Sequence, residues 1–221
     1  DTVVRDLAEV ASGAIVMPTN FWGKASIIDA GIWSWGSGSL GKLGHNNSTT
    51  LSSPVQVGAL TDWAVASCGE QFSTMIKTDG TLWSTGYNYW GMLGQGDSGE
   101  FAQMRSSPIQ VGSLTTWEKV ASGKQHSVAV KTDGTLWAFG RNTYGQIGDG
   151  TTSDRNSPVQ IGALTTWNEV ACGTNFAIAT KTDGTLWAWG QNGFGQLGQG
   201  NTTNRSSPVQ VAGPSGWDKV A

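Results

Sequence analysis

Residues 181–198 of this chain read KTDGTLWAWGQNGFGQLG, and this stretch decides the fold because the rest of the sequence repeats it. A close copy stands at 131–148, a more altered copy at 77–94 and a worn copy at 27–44. Self-similarity at a fixed period is the signature of a repeat architecture, in which each copy builds one supersecondary unit. Because catalytic residues are rarely needed four times over, the recurrence is evidence about shape before it is evidence about chemistry.

The repeated stretch contains a tight turn between two short strands. The turn is an Asp-Gly pair, which recurs at Asp79-Gly80, Asp133-Gly134 and Asp183-Gly184. Glycine accepts the positive φ of hairpin turns at no steric cost, and the flanking runs 127–130 and 135–139 are rich in β-branched and aromatic residues. A third run precedes them at 117–123 and a fourth follows at 157–161. Each repeat therefore predicts a four-stranded antiparallel meander.

A proline stands near the start of the fourth run in every repeat, at Pro54, Pro108, Pro158 and Pro208. Because proline has no N–H to donate to a ladder, we expect this run to lie at the outer edge of its sheet. An arginine comes shortly before the proline in three repeats, at Arg105, Arg155 and Arg205. We expect these arginines to tie the preceding loop to the edge strand.

The repeats are phased by a tryptophan that opens the first run, at Trp63, Trp117, Trp167 and Trp217. The sequence predicts one repeat domain over 1–221, with repeats at 7–62, 63–116, 117–166 and 167–216 and the opening strand of a further repeat at 217–221. Such an ending indicates a piece of a longer array or a last strand that pairs elsewhere. A second set of tryptophans stands at Trp33, Trp83, Trp137 and Trp187. We expect both sets to be buried between neighbouring sheets.

The composition suits an all-β fold with many turns and an ample aromatic core, since 221 residues include 32 glycines and 12 tryptophans. No stretch is long and apolar enough to predict insertion into a membrane. The net charge is −3, and the 13 basic residues are scattered without the basic patch that nucleic-acid-binding surfaces carry. Nucleic acid is therefore not an expected partner.

The reactive residue types give no predicted catalytic or metal site. Cys68 and Cys172 stand at equivalent positions two repeats apart, too distant for a disulfide, and we expect small buried thiols there. No Cys-x-x-Cys pair or oxygen-rich cation loop is present, so no metal site is predicted. His126 takes the place of Phe72 and Phe176 in the sister repeats, and no nucleophile and base are paired by position. We predict a protein that is not an enzyme and needs no cofactor.

The motifs of the later repeats resemble those of a known family. Val-Ala-x-Gly at 120–123 is followed by His-Ser-Val-Ala-Val-Lys-x-Asp-Gly at 126–134 and Leu-Trp-Ala-x-Gly-x-Asn-x-x-Gly-Gln-x-Gly at 136–148. Asp-Gly-Thr-Thr at 149–152 and Ser-Pro-Val-Gln-Val at 207–211 extend the pattern. Over 63–221, and more weakly over 7–62, the chain resembles the regulator-of-chromosome-condensation repeat family and is most similar to its bacterial-type repeats.

This resemblance implies a β-propeller, usually of seven blades that are each a four-stranded sheet. Four repeats and one opening strand imply a partial or open propeller, or a fragment of a seven-bladed one. A soluble member with bacterial-type repeats, a β-lactamase inhibitor protein, covers its target enzyme with one propeller face. The resemblance therefore favours a protein-binding function.

Two insertions interrupt the repeat pattern: about six residues near 14–22, between the first and second strands of repeat 1, and four within 96–105, between the third and fourth strands of repeat 2. An antiparallel meander brings both connections to one side, where variable loops on a rigid scaffold form binding surfaces. The alternative is drift tolerated in solvent. We expect deletion of residues 14–21 or of residues 99–102 to abolish partner binding and to leave the melting of the fold nearly unchanged. The candidate contact residues are Phe21, Trp22, Trp90, Asp97, Glu100 and Phe101.

Three functional hypotheses follow from these patterns. The first is a non-enzymatic protein-binding scaffold, exposed outside a bacterial cell or on a virus particle, that recognises its partner with one loop face. The second is a structural component of a larger assembly, such as a virion decoration or tail protein, in which further subunits cover the two ends of the array. The third is guanine-nucleotide exchange, as in the founder of the family. The chain lacks a match for the founder's nucleotide-displacing loop and a basic tail, which argues against the third.

Overall fold

The computed structural model describes residues 15–16, 24–28, 31–99 and 104–220, and these residues form sixteen strands. In chain order the strands are β1 (Ile15–Val16), β2 (Lys24–Ile28), β3 (Gly31–Gly36), β4 (Leu51–Gln56), β5 (Trp63–Cys68), β6 (Phe72–Lys77), β7 (Leu82–Gly86), β8 (Arg105–Gln110), β9 (Trp117–Ser122), β10 (His126–Lys131), β11 (Leu136–Gly140), β12 (Arg155–Gln160), β13 (Trp167–Cys172), β14 (Phe176–Lys181), β15 (Leu186–Gly190) and β16 (Arg205–Gln210). They pair in sequence order into four antiparallel sheets of four strands each, which confirms the predicted meander.

We call the sheets blades 1 to 4, from β1–β4 to β13–β16. The first strands of neighbouring blades contact each other, as in the pairs β5 with β9 and β9 with β13. The fourth strand lies at the opposite edge of every blade. The blades therefore fan out from an axis lined by their first strands, which is the arrangement of a β-propeller.

The Asp-Gly turn forms as predicted and is reinforced by its neighbours. Gly134 has a φ of 75°, and a Cβ there would lie 2.2 Å from the carbonyl oxygen of Thr165. The Asp133 carboxylate accepts hydrogen bonds from the N–H and the hydroxyl of Thr135 at 3.0 and 2.6 Å. The same hydroxyl oxygen accepts the indole N–H of Trp137 at 2.8 Å. Blades 2 and 4 repeat this chain of contacts.

The proline-bearing strands β4, β8, β12 and β16 lie at the outer edges, as predicted. Each begins before its proline, since β12 starts at Arg155 and reaches Pro158 only at its fourth residue. The ladder between β11 and β12 shifts register between Ala138 and Gly140. The edge position and this bulge accommodate the N–H that Pro158 lacks.

The core lies between successive blades. Between blades 3 and 4, Val128, Leu136 and Ile147 of blade 3 belong to one buried cluster with Trp167 and Trp189 of blade 4. Similar clusters fill the spaces between blades 1 and 2 and between blades 2 and 3. Burial of these large apolar side chains holds neighbouring sheets together, because no strand pairs across the boundary.

The two sets of repeated tryptophans differ in burial. Trp63, Trp117 and Trp167 are 2–4% exposed, as predicted. The partners Trp83, Trp137 and Trp187 are only half-buried and meet them edge to face with ring centres 5.8–6.0 Å apart. The aliphatic stem and ammonium of a lysine, such as Lys131 at 3.5 Å from the ring centre of Trp137, cover the second set. The second set therefore packs between neighbouring sheets as predicted but is less buried than the first set.

Blade 4 has one face that no other described sheet covers. In β10 of blade 3 all six residues are buried, whereas in β14 Phe176 and Ile178 are half-buried. Trp217 is 42% exposed and residues 217–220 form no strand, so neither the expected burial of Trp217 nor the predicted opening strand is observed among the described residues. The main-chain N–H of Trp217 still donates to Gly184 O at 3.0 Å, as the main-chain N–H of Trp167 does to Gly134 O. An opening strand needs a second strand to pair with, and the described residues supply none there.

Blade 1 corrects the prediction for the first insertion. Ile15–Val16, predicted to lie in a loop, forms β1 and pairs with Ile27 and Ser26 of β2. Two consecutive β-branched residues favour an extended strand. The opening run predicted at Leu7 lies outside the described residues. The part of the chain that the structure describes contains no helix with the length and apolar character needed to span a bilayer.

Candidate functional site

The connections between strands emerge at two opposite ends of the blades. The loop face consists of the turns 69–71, 123–125 and 173–175 and the loops 37–50, 87–99, 141–154 and 191–204. The hairpin face consists of the turns 78–81, 132–135 and 182–185 and the links 57–62, 111–116 and 161–166. Main-chain bonds join elements within each face, such as Tyr87 N–H to Gln71 O at 2.9 Å and Thr78 N–H to Asp62 O at 2.7 Å. The loop face is where the meander places the predicted binding surface.

A buried asparagine fixes each long loop of blades 2 to 4. Asn142 is fully buried; its side-chain oxygen accepts the N–H of Ile147 at 2.9 Å and its amide donates to Ser153 O at 3.0 Å. Asn88 and Asn192 anchor their own loops in the same way. These bonds satisfy loop backbone groups that burial would otherwise leave unpaired, so the loops have defined shapes.

The loops of blades 2 and 3 also contact the following blade. The N–H of Gly96 donates to Asn156 O of blade 3 at 2.7 Å, and a Cβ on Gly91 would lie 2.5 Å from the Asn156 Cα. The corresponding bond from Gly150 reaches Ser206 of blade 4. The loop of blade 2 is therefore positioned by two blades.

An aromatic cluster stands on the loop face of blade 2. The rings of Tyr87 and Tyr89 are stacked with centres 6.1 Å apart, and Trp90 meets Tyr89 edge to face at 4.5 Å. Tyr87 and Trp90 pack partly against a buried cluster that includes Phe72 and Met92. All three aromatic side chains remain half-buried, so part of each ring reaches the surface.

Arg141 of blade 3 completes this cluster from across the blade boundary. Its guanidinium carbon lies 4.6 Å from the ring centre of Trp90, within the range of a cation–π contact. Its Nη1 donates to the side-chain oxygen of Gln125 at 2.6 Å, and its Nε donates to Thr143 Oγ1 at 3.0 Å. The cluster thus joins residues of two blades into one surface.

The six predicted contact residues have different outcomes in the structure. Trp90 lies on the loop face as predicted but is half-buried. The carboxylate of Asp97 is occupied within its own loop, where it accepts from Asn88 at 2.6 Å and Arg105 at 3.2 Å, so it acts as a brace. This contact and the one between Arg155 and Asp149 tie loop to edge strand, as predicted for these two arginines. Among the described residues Arg205 forms no salt bridge, and its buried Nε has no hydrogen-bond partner. Phe21, Trp22, Glu100 and Phe101 lie outside the described residues.

The sequence reasoning missed Tyr87, Tyr89 and Arg141. Tyr87 and Arg141 occupy the same repeat position, directly after the glycine that ends the third strand, and Ser37 and Gln191 stand there in the other blades. A position that varies between four otherwise similar repeats, at the start of a loop on the predicted binding face, was the available signal.

One aromatic residue of the loop face is almost fully exposed. Phe194 of blade 4 is 91% exposed, although Trp90 and Tyr144 at the equivalent position are half-buried. The reason is the absence of a following sheet in the described part of the chain: a Cβ on Gly195 would have open space around it, whereas one on Gly145 would meet Ser206.

The ionisable and sulfur-bearing residues serve the fold. Burial lowers the pKa of His126 to about 4; the nearby main chain of Phe176 opposes this shift but does not reach hydrogen-bonding geometry with either ring nitrogen. Burial raises the pKa of Cys172 to about 12, and its thiol donates to Ala121 O at 3.4 Å. Cys68 lies on a different blade and forms no disulfide, and its sulfur accepts the hydroxyl of Ser73 at 3.7 Å. Among the described residues, no group of three or more His, Cys, Asp or Glu side chains is placed to hold a metal ion.

Comparison with known proteins identifies the repeat. The model of the regulator of chromosome condensation (RCC1) repeat matches residues 29–76, 79–130, 133–180 and 183–221. The Ultraviolet-B receptor UVR8 of Arabidopsis thaliana is 34% identical over 126 residues, which are 56% of this chain and 28% of the receptor. Protein RCC2 homolog of Danio rerio is 34% identical over 119 residues, which are 53% of this chain and 24% of that protein. The matched part is thus about a quarter of the length of these relatives.

The fold agrees with this assignment. The crystal structure of Prp20p from Saccharomyces cerevisiae superposes with a TM-score of 0.80 at 19% sequence identity, covering 92% of this chain and 51% of Prp20p. The superposition shows that the four blades follow the geometry of an RCC1-type propeller. Since the repeat matches in four consecutive segments that cover most of the sequence, the chain belongs to the RCC1 repeat family.

Proposed function

We propose that this chain is a non-enzymatic protein-binding scaffold that contacts its partner with the loop face. The observation that carries the proposal is the half-buried cluster of Tyr87, Tyr89 and Trp90, joined across the blade boundary by Arg141. Tyrosine, tryptophan and arginine are the residue types that contribute most to binding at protein interfaces. Their concentration at one place on a face built from loops favours a recognition surface.

The rigidity of the loop face supports this function. Asn88 fixes the shape of the loop that carries the cluster, and the bond from Gly96 to Asn156 fixes its position on blade 3. Binding costs less conformational entropy when the contact residues are already in place. A surface of this kind suits recognition of one partner shape.

The relatives are consistent with a protein partner. Prp20p has been described by its binding properties to Gsp1p and histones, and yeast RCC1 (Prp20) has been crystallised with Kap60 bound. The identity to Prp20p is low, so these relatives favour the class of partner, a protein, and give no argument for its identity.

Affinity purification with matched baits tests the proposal. The baits are the wild-type chain, Trp90→Ala, and Leu114→Ser, which alters an exposed leucine on the hairpin face. A lysate of cells that naturally express the protein is passed over each bait, and the retained proteins are quantified by mass spectrometry. We expect at least one protein to be retained by the wild type and Leu114→Ser baits but lost with Trp90→Ala. Equal retention by all three baits would contradict a role for the loop face.

A second candidate function, as a structural part of a larger assembly, is favoured by the uncovered face of blade 4. Phe194 is 91% exposed there, and Leu186 is half-buried although Leu136, at the same position in blade 3, is fully buried. In blade 3 the following blade packs over Leu136, and in an assembly a neighbouring subunit would cover Leu186 in the same way. Light scattering after size-exclusion chromatography distinguishes the candidates: oligomers that Phe194→Ser dissociates support the assembly, and a monomer at all concentrations contradicts self-assembly through this face.

A further inference from the structure

Arg141 is held in place before any partner arrives. Its main-chain N–H donates to Gln125 O at 2.8 Å, its Nη1 donates to the Gln125 side chain at 2.6 Å, and its Nε donates to Thr143 Oγ1 at 3.0 Å. Trp90 covers one side of the guanidinium at 4.6 Å from the ring centre. Because the long side chain is already ordered, a new contact to it loses little rotamer entropy.

The charge of Arg141 has no counter-ion in the described part of the chain. Arg105 and Arg155, at the ends of the loops of blades 2 and 3, pair with Asp97 and Asp149, whereas none of the salt bridges of the described residues includes Arg141. Of the five N–H groups of a guanidinium, Arg141 uses one on Nη1 and one on Nε, and Nη2 donates to no described residue. A donor group therefore remains available on an ordered side chain.

The other charged side chains of the neighbouring turns and loops include one ion pair and one exposed carboxylate. Lys124 pairs with Glu70 at 3.4 Å on the neighbouring turns. Asp154, in the same loop as Arg141, directs a carboxylate oxygen to the N–H of Asn142 at 2.7 Å. Arg141 is therefore a cation outside every salt bridge of the described residues, and it lies beside the partly exposed rings of Trp90 and Tyr89.

Part of the net negative charge of the chain lies on the hairpin face, at the end of the blades opposite to the loop face. Asp79, Asp133 and Asp183 are exposed in the turns of the hairpin face. Charges at the two ends of a blade are separated by a full strand length of protein, and salt screens exposed charges beyond about 10 Å. A negative group that approaches the loop face is consequently governed by Arg141 more than by these aspartates.

We propose that the loop face recognises an acidic segment of its protein partner. A carboxylate of that segment pairs with Arg141, and an apolar side chain next to it packs on Trp90 and Tyr89. The inference rests on the proposed function and adds the chemistry of the partner to it. A planar guanidinium that is stacked on an aromatic ring and partly shielded from water is suited to bind a carboxylate through charge-assisted hydrogen bonds.

Selection from a random peptide library displayed on phage tests the inference. The wild-type chain is the target, and peptides selected on it are synthesised and measured by calorimetry against four variants: Arg141→Gln, Arg141→Lys, Trp90→Ala and Leu114→Ser. We expect selected peptides to be enriched in Asp and Glu beside apolar residues. Their affinity should fall about tenfold or more in Arg141→Gln, fall less in Arg141→Lys, and stay unchanged in Leu114→Ser. Raising the ionic strength should weaken binding to the wild type more than to Arg141→Gln.

Other results distinguish failure of the acidic-segment inference from failure of the proposed function. If selected peptides lose affinity in Trp90→Ala but carry no excess of acidic residues, or bind Arg141→Gln as tightly as the wild type, the acidic-segment inference is wrong while the proposed function stands. If no selected peptide responds to Trp90→Ala, both are contradicted. Unchanged thermal unfolding of Arg141→Gln shows that lost affinity comes from the surface and not from the fold.

Discussion

The guanidinium of Arg141 lies over the ring of Trp90, although the two residues are 51 positions apart in sequence and belong to different blades. Neither residue alone makes the surface. Trp90 lies in the long loop of blade 2, and Arg141 is the first residue after β11 of blade 3. The contact exists because the loop of blade 2 is hydrogen-bonded to blade 3 through Gly96 and Asn156. The candidate site is therefore a property of the array, not of a single repeat.

Replacing Trp90 by Ala should lower the free energy of unfolding by about 2 kcal/mol, because a half-buried ring and its cation–π contact are lost. Phe194→Ala is the matched control at the equivalent position of blade 4. Since Phe194 is 91% exposed, this change should cost less than about 0.5 kcal/mol. Urea unfolding followed by circular dichroism measures both. Equal losses in the two variants would show that Trp90 does not pack on blade 3.

Replacing His126 by Phe should remove a pH dependence of stability. The wild-type pKa is lowered from 6.5 to about 4, so the neutral ring is favoured in the folded state. Stability is fully present above pH 6.5 and is lost as the pH falls through 6.5 towards 4, by about 3 kcal/mol in total. The pocket accepts Phe, because Gly123 faces the His126 ring as Gly69 faces Phe72.

The measurement for His126 is the free energy of unfolding at a series of pH values. His126→Phe should match or exceed the wild type at pH 7 and gain on it steadily below pH 6.5. Parallel curves for the two proteins would mean that His126 is protonated as easily in the folded as in the unfolded chain.

Replacing Thr135 by Val should destabilise the third blade by about 1–2 kcal/mol. The hydroxyl that accepts the indole N–H of Trp137 and donates to Asp133 is lost, and the indole N–H loses its partner. Thr132→Val, in the same turn at an exposed side chain, is the control and should be nearly neutral. Differential scanning calorimetry of the two variants checks this. A neutral Thr135→Val would show that water replaces the hydroxyl without cost.

Deleting residues 14–21 should lower the thermal unfolding midpoint, in contrast to the expectation from sequence that this insertion is removable. The deletion removes Ile15–Val16, which pairs with β2, and exposes the edge of blade 1. Deleting 100–103, within the second insertion, should leave the midpoint nearly unchanged. Thermal unfolding followed by circular dichroism compares the two deletions. An unchanged midpoint after deletion of 14–21 would show that β1 contributes nothing to blade 1.

Local sequence rules predicted the blade well. Gly134 can adopt a positive φ, and Pro158 has no N–H to donate. These properties belong to the residues themselves and act whatever the surroundings. The order of strands followed from the Asp-Gly turns because short connections force neighbouring runs to pair antiparallel. For these features the surrounding structure adds detail, such as the bulge opposite Gly140, without changing the outcome.

Features that depend on contacts between blades were less accessible to sequence. Trp217 carries the same signal as Trp167 yet is exposed, because its burial depends on a sheet that the described residues do not contain. Asp97 looked like a free loop carboxylate, and only the folded loop shows Arg105 beside it. The contact between Arg141 and Trp90 could be predicted only once the packing of the blade 2 loop against blade 3 was known.

The most direct test of a partner bound on the loop face is hydrogen–deuterium exchange of the chain with and without a partner or selected peptide. The account predicts slower exchange of backbone amides in 87–93 and 141–147 on binding, with no change in the hairpin-face turns 78–81 and 132–135. Slower exchange in those turns, with 87–93 and 141–147 unaffected, would contradict it.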